Sequence, residues 1–267
     1  MILTVDMGNS HIELGILEGD EVILSERIAT DIEKTASEYA VLIHSIFEIR
    51  NINVDDIKGG IISSVVPPLT YELKDAIKKV TGKTPLVVEP GIKSGVRVRI
   101  EDPKSLGADL LVGAVAVKNK YGYPAIITDM GTATTVTVID KNGDFIGGVI
   151  MPGVATSLNA LSAGTSKLPK INLSAPGKVV CSTTEECMSA GMIYGQASML
   201  DGLITKMERE LGYPCKAIAT GGLARLIVPY CEREITLDNN LMLTGLKILY
   251  DKNRASLIRT LSSRQRK

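Results

Sequence analysis

Two short stretches place a carboxylate directly after an apolar run and just before a glycine turn. Residues 2–10 read ILTVDMGNS and residues 125–135 read AIITDMGTATT, so a glycine follows both Asp6 and Asp129 two positions later. Turns of glycine and small polar residues expose backbone N–H groups that cradle phosphate oxygens. The carboxylate cannot bind phosphate itself, but it can hold a cation, or a metal-bound water, beside the phosphate. The pair predicts two phosphate-binding hairpins.

The repetition is informative, because a single Asp-x-Gly stretch often does no more than cap a turn. Ser10, Thr132 and Thr134 add hydroxyl donors around the two turns. Neither a G-x-x-x-x-G-K-[ST] loop nor a G-x-G-x-x-G turn occurs in the sequence. Two hairpins that face each other across a cleft would instead hold the phosphates of one nucleotide from both sides.

A third glycine turn, Gly221-Gly222, lies in the stretch ATGGLAR at residues 219–225. A strand that ends in Thr-Gly-Gly before a helix lets the backbone approach a flat ligand such as adenine. An ordinary strand–helix turn explains these residues equally well. The turn therefore supports nucleotide binding only in combination with the two hairpins.

The elements that must position these groups repeat in the two halves of the chain. Each half opens with strand, Asp-x-Gly, strand, hairpin and strand before turning helical, which predicts a duplicated fold. We expect one lobe at 1–118, a second at 119–254 and a basic tail at 255–267. The predicted strands are 2–6, 11–17, 21–28, 59–66, 85–91, 95–100, 125–129, 134–140, 144–150 and 216–222. The predicted helices are 35–50, 69–82, 106–122, a segment from about 153, 184–211, 223–231 and 240–253.

The composition argues against several classes of protein. Thirty acidic side chains balance thirty basic ones, so net charge favours neither nucleic acid nor an anionic membrane as a partner. Asp6 interrupts any apolar signal segment, and glycines and a proline break the uncharged run 145–166, so we expect neither secretion nor membrane insertion. The four cysteines lack CxxC spacing, which favours free thiols in the cytoplasm over a metal site; they are Cys181, Cys187, Cys215 and Cys231.

Eight segments in a fixed order resemble a known family. The Asp-x-Gly and Thr-Gly-Gly motifs are similar to those of the actin/Hsp70/hexokinase superfamily, and the chain resembles, more narrowly, type III pantothenate kinases from residue 1 to about 253. The segments are DMGNS (6–10), SSVVP (63–67), DPKSLGAD (102–109), DMGTATT (129–135), GGVIMPG (147–153), TSKLP (165–169), TTEECMSAG (183–191) and ATGGLA (219–224).

The resemblance implies an α/β protein with a duplicated ribonuclease H-like (actin-like ATPase) fold, whose two similar lobes have a nucleotide cleft between them. It further implies a cytoplasmic homodimer that phosphorylates pantothenate to 4'-phosphopantothenate, the first step of coenzyme A biosynthesis. The implied co-substrate is ATP, with Mg²⁺ and a monovalent cation, K⁺ or NH₄⁺.

The resemblance also implies roles for individual residues. Asp129 would bind the monovalent cation, and Asp6 would bind Mg²⁺ directly or through water. Asp109 would be the general base, and Thr184 would reach the substrate from the partner subunit. The implied substrate loop is Gly107, Ala108, Asp109 and Leu110. The implied ATP-binding residues are Asp6, Met7, Gly8, Asn9, Ser10, His11, Ile12, Glu13, Thr132, Gly221 and Gly222.

Physical reasoning supports Asp109 as the base. Phosphoryl transfer depends mostly on positioning and charge neutralisation, and a carboxylate can accept the proton of the substrate hydroxyl. Asp109 follows Pro103 at a predicted loop–helix junction, where a carboxylate can face a cleft. An acid in the first turn of a helix also favours the helix dipole, which is the purely structural alternative.

The predicted homodimer has a sequence feature of its own in the helix at 184–211. This helix contains Gly191 and Gly195 at a spacing of four. Its apolar stripe exceeds what one core face needs and predicts burial against a second copy, although a core helix within one chain is the alternative. The stripe is Met188, Met192, Met199, Leu203 and Met207.

Three departures from the family pattern all fall on the acceptor side. Leu110 stands where the family has Arg, Ile100-Glu101-Asp102 where it usually has a Tyr, and Cys181-Ser182-Thr183 where it usually has Gly-Lys-Asn. Arg can anchor a carboxylate with its guanidinium, whereas Leu cannot. Arg97 and Arg99, on the strand before this loop, are candidate replacements.

Three functions therefore stay open at this point. The first is an ATP-dependent pantothenate kinase. The second is a related kinase for another small hydroxylated acceptor, which Leu110 favours. The third is a nucleotide-binding regulator without turnover, against which the retained Asp109 argues.

Overall fold

The protein is described by a computed structural model that covers residues 1–264, with side chains as far as Arg254. Its strands are β1 (Ile2–Met7), β2 (His11–Glu18), β3 (Glu21–Ala29), β4 (Gly60–Ser64), β5 (Leu86–Val87), β6 (Arg97–Val98), β7 (Ala125–Met130), β8 (Ala133–Ile139), β9 (Asp144–Pro152), β10 (Lys216–Thr220) and β11 (Thr236–Leu237). Its α-helices are α1 (Ala36–Ile49), α2 (Pro67–Thr81), α3 (Ala108–Lys120), α4 (Val154–Ala163), α5 (Thr184–Leu211), α6 (Ala224–Ile227) and α7 (Leu241–Arg264).

The strands form two sheets with the same arrangement. The first has the order β3-β2-β1-β4-β5, and the second has the order β11-β10-β7-β8-β9 with β6 added beside β9. In each, three antiparallel strands joined by hairpins are followed by a strand that pairs in parallel with the first one, β4 with β1 and β10 with β7. The predicted duplication is thereby confirmed.

Alternation along β1 assigns the two faces of the first sheet. Leu3, Val5 and Met7 are buried in a core with side chains of α1 and α2, while Thr4 and Asp6 point to the opposite face. In the second unit, β7 and β8 pack against α5 in an equivalent core. Each Asp-x-Gly turn thus begins at the end of a strand that a hydrophobic core holds firmly.

The chain divides into two compact units, and here the predicted lobe boundaries need correction. One unit contains Met1–Arg97, Glu101–Asn119 and α7, and the other contains Val98–Ile100 and Lys120–Asn239. The helix α7 was assigned to the second lobe from the sequence, yet it packs on β1 and β4 of the first. Gly15 makes this possible, because a Cβ there would collide with the Leu243 side chain.

Two helix ends also differ from the prediction. The helix predicted at 223–231 stops at Ile227 and gives way to a 3-10 turn at Val228–Tyr230, which contains Pro229. In contrast, α7 continues past the predicted end at Asn253 to Arg264, because neither Gly nor Pro interrupts it. The tail predicted from 255 is therefore helical as far as Arg264, and its last part, 265–267, lies outside the described residues.

Two further findings concern the chain as a whole. All four cysteines are free thiols, as predicted. Over the described residues, no helix combines the length and apolar character that crossing a membrane requires.

Candidate active site

The turn between β1 and β2 is held by backbone hydrogen bonds and by one threonine. The Gly8 N–H donates to the His11 carbonyl at 2.9 Å. The Thr30 hydroxyl donates to the Gly8 carbonyl at 2.7 Å, and the Thr30 N–H donates to the Ser10 carbonyl at 3.0 Å. These bonds fix the turn while Asn9 and Ser10 stay exposed. The arrangement suits a rigid phosphate-binding turn.

The residues predicted to bind ATP in this hairpin fall into two groups. Asn9, Ser10 and His11 are exposed. The side chains of Met7 and Ile12 are buried in the core of the first unit. Those two residues can contribute to ligand binding only through their backbones.

A row of polar side chains crosses the first sheet at the level of Asp6. Glu13 pairs with Asp6 across the antiparallel β1–β2 ladder, and Ser63 pairs with Asp6 across the parallel β1–β4 ladder. The Ser25 hydroxyl donates to Glu13 Oε1 at 3.0 Å. Burial raises the pKa of Glu13, although the Ser25 hydrogen bond and the positive charge of Arg27 oppose this.

Ser63 belongs to the site but could not be recognised from the sequence. It is fully buried, and its Oγ has no hydrogen-bond partner in the described part of the chain. In the sequence it is one of two serines that follow an apolar run. Only the register of β4 against β1 shows that Ser63 is the one beside Asp6.

The turn between β7 and β8 repeats the first one with different anchors. The Gly131 N–H donates to the Ala133 carbonyl at 3.0 Å. The Thr132 carbonyl accepts from the Gly153 N–H at 3.0 Å and from the Thr156 hydroxyl at 2.7 Å. Thr132 is exposed, so its position suits the predicted ATP contact.

Thr134 does not act as the hydroxyl donor that the sequence predicted. It is fully buried, and its Oγ1 has no hydrogen-bond partner among the described residues. It pairs with Met130, a member of the core of the second unit, and therefore shares that face of the sheet. A hydroxyl facing this core cannot donate to a phosphate in solvent.

Gly221 lies against the second Asp-x-Gly turn. Its φ is +97°, and a Cβ at this position would lie 2.6 Å from Asp129 Oδ1 and 2.5 Å from the Met130 nitrogen. The preceding residue, Thr220, pairs with Asp129 in the parallel β7–β10 ladder. A glycine is thus required at 221 so that the turn can approach Asp129. Gly222 is exposed, and its contact with adenine stays a prediction.

Asp109 lies in the first turn of α3, as predicted. Its Oδ1 accepts a hydrogen bond from the Leu110 N–H at 2.8 Å. A side chain on Gly107 would collide with this oxygen, so the glycine makes room for the carboxylate. Burial raises the pKa of Asp109, and the backbone N–H groups of Leu110 and of Asp109 itself lower it. A partly desolvated carboxylate has the properties expected of a general base.

Arg97 and Arg99, the two candidate replacements for the family's Arg, differ in their contacts. Leu110 is half-buried. Arg99 forms an ion pair with Asp144 at 3.6 Å, and its N–H donates to the Phe145 carbonyl at 2.8 Å. Arg97 is exposed. Of the two candidates, Arg99 therefore already contacts residues of β9.

Thr184 is the first residue of α5 and lies beside a pocket of about 420 Å³ within the second unit. Thr183 caps the helix, because its hydroxyl accepts from the Glu186 N–H at 3.3 Å. Thr184 itself is exposed. The pocket lining includes Leu161, Leu168, Thr184, Cys187 and Met188.

The duplicated sheets and their two Asp-x-Gly hairpins define an actin-like ATPase fold. Solved structures show the same fold. The activator of 2-hydroxyisocaproyl-CoA dehydratase from Clostridium difficile, with bound ADPNP, has a TM-score of 0.52 at 14% identity and covers 97% of each chain. The (R)-2-hydroxyglutaryl-CoA dehydratase component A from Acidaminococcus fermentans has a TM-score of 0.53 at 16% identity and covers 96% of this chain and 98% of that one.

Sequence comparison then identifies the family. The profile of the type III pantothenate kinase family matches residues 2–206. The type III pantothenate kinase of Moorella thermoacetica is 41% identical over 253 residues, which span 95% of this chain and 100% of that protein. The one of Halalkalibacterium halodurans is 42% identical over the same shares. The chain belongs to the type III pantothenate kinase family.

Proposed function

We propose that this protein transfers the γ-phosphoryl group of ATP to the hydroxyl of pantothenate. The observation that carries the proposal is Asp109, a half-buried carboxylate at the start of α3 for which Gly107 leaves space. Membership of the chain in the type III pantothenate kinase family supports pantothenate as the acceptor. The proposed place of the reaction is the first step of coenzyme A biosynthesis.

Each residue group has a distinct role in this proposal. The exposed turns at Asn9-Ser10 and at Thr132 contribute to binding the ATP phosphates. Asp109 accepts the proton of the attacking hydroxyl and orients that hydroxyl toward the phosphorus. Because phosphoryl transfer needs positioning more than covalent chemistry, the main contributions of these residues are to place the two substrates and to accept one proton.

Two cations complete the proposed site. Asp6 would hold Mg²⁺, and the neighbouring buried Ser63 hydroxyl, which lacks a protein partner, fits such an ion or its water. Asp129 would hold the monovalent cation, since the oxygens beside it on β8 and β10 are the uncharged ones of Thr135 and Thr220. When bound, Mg²⁺ supplies positive charge that offsets the charge on the phosphoryl oxygens.

We propose a homodimer in which Thr184 reaches the substrate bound by the partner subunit. The exposed face of α5 supports this, because Gly191, Gly195 and Gly202 have open space beside them. Val179 and Val180, which precede α5, are 63% and 85% exposed and would gain from burial. The apolar stripe supports it less, since Met188 is buried and others pack on the core of their own unit. A cytoplasmic location suits the free thiols.

One observation favours a second candidate function, a kinase for a different small hydroxylated acceptor. Leu110 cannot form the charge-assisted hydrogen bond of the family's Arg, which contributes about 1.5–3 kcal/mol, or roughly 10- to 150-fold in binding. Of the two candidate replacements, Arg99 is already paired with Asp144, whereas Arg97 is exposed. A drifted pantothenate kinase would therefore have a high KM for pantothenate.

The decisive experiment measures ATP consumption with pantothenate, pantetheine and a panel of small alcohols, for wild type and for Leu110→Arg. If pantothenate is the acceptor, wild type turns it over with a high KM that Leu110→Arg lowers. If wild type ignores pantothenate, consumes ATP with another alcohol and loses that activity in Leu110→Arg, the second function is correct. A low KM for pantothenate that Leu110→Arg leaves unchanged would refute the role assigned to position 110.

A further inference from the structure

The polar row at the level of Asp6 contains a second carboxylate, Glu13, to which the function above gives no task. Glu13 stands directly opposite Asp6 on β2, and Ser63 stands directly beside Asp6 on β4. Paired residues on adjacent strands project from the same face, with Cβ atoms about 4.5–5.5 Å apart in the antiparallel pair. The three side chains therefore converge on one patch of the sheet.

Asp6 and Glu13 are two acidic residues directly opposite each other across the β1–β2 ladder. Like charges directly opposite each other in a ladder destabilise a sheet. Arg27 pairs with Glu13 on its other side, on β3, and its positive charge acts on the Glu13 carboxylate. Glu13 also accepts a hydrogen bond from the Ser25 hydroxyl on Oε1.

Ser63 provides an independent indication of a ligand. Its hydroxyl is fully buried without a partner in residues 1–254, although a buried polar group left unpaired is unfavourable by about 1–3 kcal/mol. The hydroxyl of the neighbouring Ser64, in contrast, has hydrogen-bond partners. Its Oγ accepts from the Val66 N–H at 3.1 Å and from the Thr70 hydroxyl at 2.8 Å. A cation beside Asp6, or water bound to it, would give Ser63 the partner it lacks.

The second sheet serves as an internal comparison. The residues at the corresponding register around Asp129 are Thr135 on β8 and Thr220 on β10. The row around Asp6 therefore carries two carboxylates and one hydroxyl, whereas the row around Asp129 carries one carboxylate and two hydroxyls. Two carboxylates match the charge of a divalent cation, and hard cations of this kind take oxygen ligands with water completing the shell.

We propose that Asp6, Glu13 and Ser63 form a resident divalent-cation site, which binds Mg²⁺ before the nucleotide arrives. Asp6 and Glu13 supply carboxylate oxygens, and Ser63 orients the ion's ligands or its water. The use of this ion in phosphoryl transfer rests on the proposed function, whereas the site itself does not.

The test measures Mn²⁺ binding to the full-length, chelator-treated protein in the absence of nucleotide, from the loss of the free Mn²⁺ signal in electron paramagnetic resonance. Wild type should bind one Mn²⁺ per chain, and Mg²⁺ but not K⁺ should displace it. Glu13→Gln should weaken this binding by at least about 10-fold. Glu18→Gln, at the exposed end of the same strand, is the matched control and should leave it unchanged.

The two serines give a second matched pair. Ser63→Ala should weaken Mn²⁺ binding without lowering the melting temperature. Ser64→Ala should lower the melting temperature, because the hydrogen bonds with Met7, Val66 and Thr70 are lost, without changing Mn²⁺ affinity. The serine pair and the number of Mn²⁺ ions bound per wild-type chain test the cation site even if Glu13→Gln fails to fold.

Three results would overturn the site: no Mn²⁺ on nucleotide-free wild type, equal binding by Glu13→Gln and Glu18→Gln, or displacement by K⁺ as readily as by Mg²⁺. None of these depends on turnover. If Mn²⁺ binds as expected and no acceptor is phosphorylated, the proposed function fails and the site stands. If pantothenate is phosphorylated and the nucleotide-free protein binds no Mn²⁺, the function stands and the site fails.

Discussion

The β1–β2 hairpin and the β7–β8 hairpin share a backbone plan but differ in the side chains beside the carboxylate. Both carry an Asp at the penultimate strand residue, a glycine whose N–H closes the turn, and a parallel strand that delivers a small hydroxyl residue next to the Asp. In the first, a carboxylate stands opposite the Asp, and in the second a threonine does. The two hairpins thus share their geometry and differ in the charge that they offer to a ligand.

The long helices that come after the strands in each half of the chain, α3 and α7, extend this comparison. In the first unit α3 begins at Ala108 with Asp109 in its first turn. In the second half of the chain, α7 follows β11 and begins with Leu241, with no acid in its first turn. The duplicated scaffold therefore carries its candidate base in one copy alone.

The largest expected effect comes from removing this base. Asp109→Asn should lower kcat by about 10²–10⁴-fold, because the substrate hydroxyl loses its proton acceptor. Asp55→Asn is the control, since Asp55 is exposed and, like Asp109, is an acid in the first turn of a helix. Steady-state kinetics of both variants test whether Asp109 at the start of α3 is the base. A kcat for Asp109→Asn within 2- to 3-fold of wild type would contradict this role.

The pH profile of the same reaction adds a readout that a structural role would not give. Asp109 must be ionised to act as a base, and burial raises its pKa above the ordinary value of 3.8. Activity should therefore be lost as pH falls through this raised pKa, with the acid limb of kcat/KM above 3.8. Asp109→Asn should abolish that limb.

The next effect separates the two hairpins by the cation each one binds. Asp129→Asn should abolish activation by K⁺ and weaken ATP binding by roughly 10- to 150-fold, the value of a charge-assisted contact. Asp6→Asn should instead remove the response to Mg²⁺ and retain the response to K⁺. Titrations of ATP affinity against each cation check both variants. Unchanged ATP affinity and K⁺ response in Asp129→Asn would rule out a role for the second hairpin.

A smaller effect concerns the glycines that shape the two turns. Gly221→Ala should destabilise the protein by about 1–3 kcal/mol, because φ is +97° and the new methyl group meets the Asp129 carboxylate. Gly8→Ala should have less effect. A Cβ at this position would lie 3.3 Å from the His11 carbonyl oxygen, and the φ of Gly8 is not positive. Thermal melting of the two variants measures the difference. Equal melting temperatures would show that the turn at Gly221 can rearrange.

The smallest effect tests the buried hydroxyl of the second sheet. Thr134→Val replaces an unpartnered hydroxyl with a methyl group of similar shape, so stability should be unchanged or higher by up to about 1 kcal/mol, with activity retained. Chemical denaturation and ATP turnover measure both. A large loss of ATP affinity in Thr134→Val would restore the donor role that the sequence predicted and the burial of Thr134 contradicts.

Part of the site could be read from local sequence. The turns at Gly8 and Gly131 follow apolar runs with strand alternation, so both hairpins and their exposed polar residues were predictable. The place of Asp109 in the first turn of α3 was also predictable, because Gly107 and the acid in a first helical turn are local signals. Thr134 was misjudged since alternation shows that a residue changes face but not which face a helix covers.

The sequence by itself therefore determined the duplicated order of elements, the two carboxylates at strand ends and the glycine turns that follow them, because hydrophobic period and turn chemistry act over a few residues. Only the tertiary structure decided that Ser63 and Thr220 stand beside the two carboxylates and that α7 packs on the first sheet. Parallel strands pair through backbone groups that are the same in every residue, so distant segments can align in several registers. The register is fixed when the whole face is packed, as Gly15 is by Leu243, and that packing joins residues far apart in the chain.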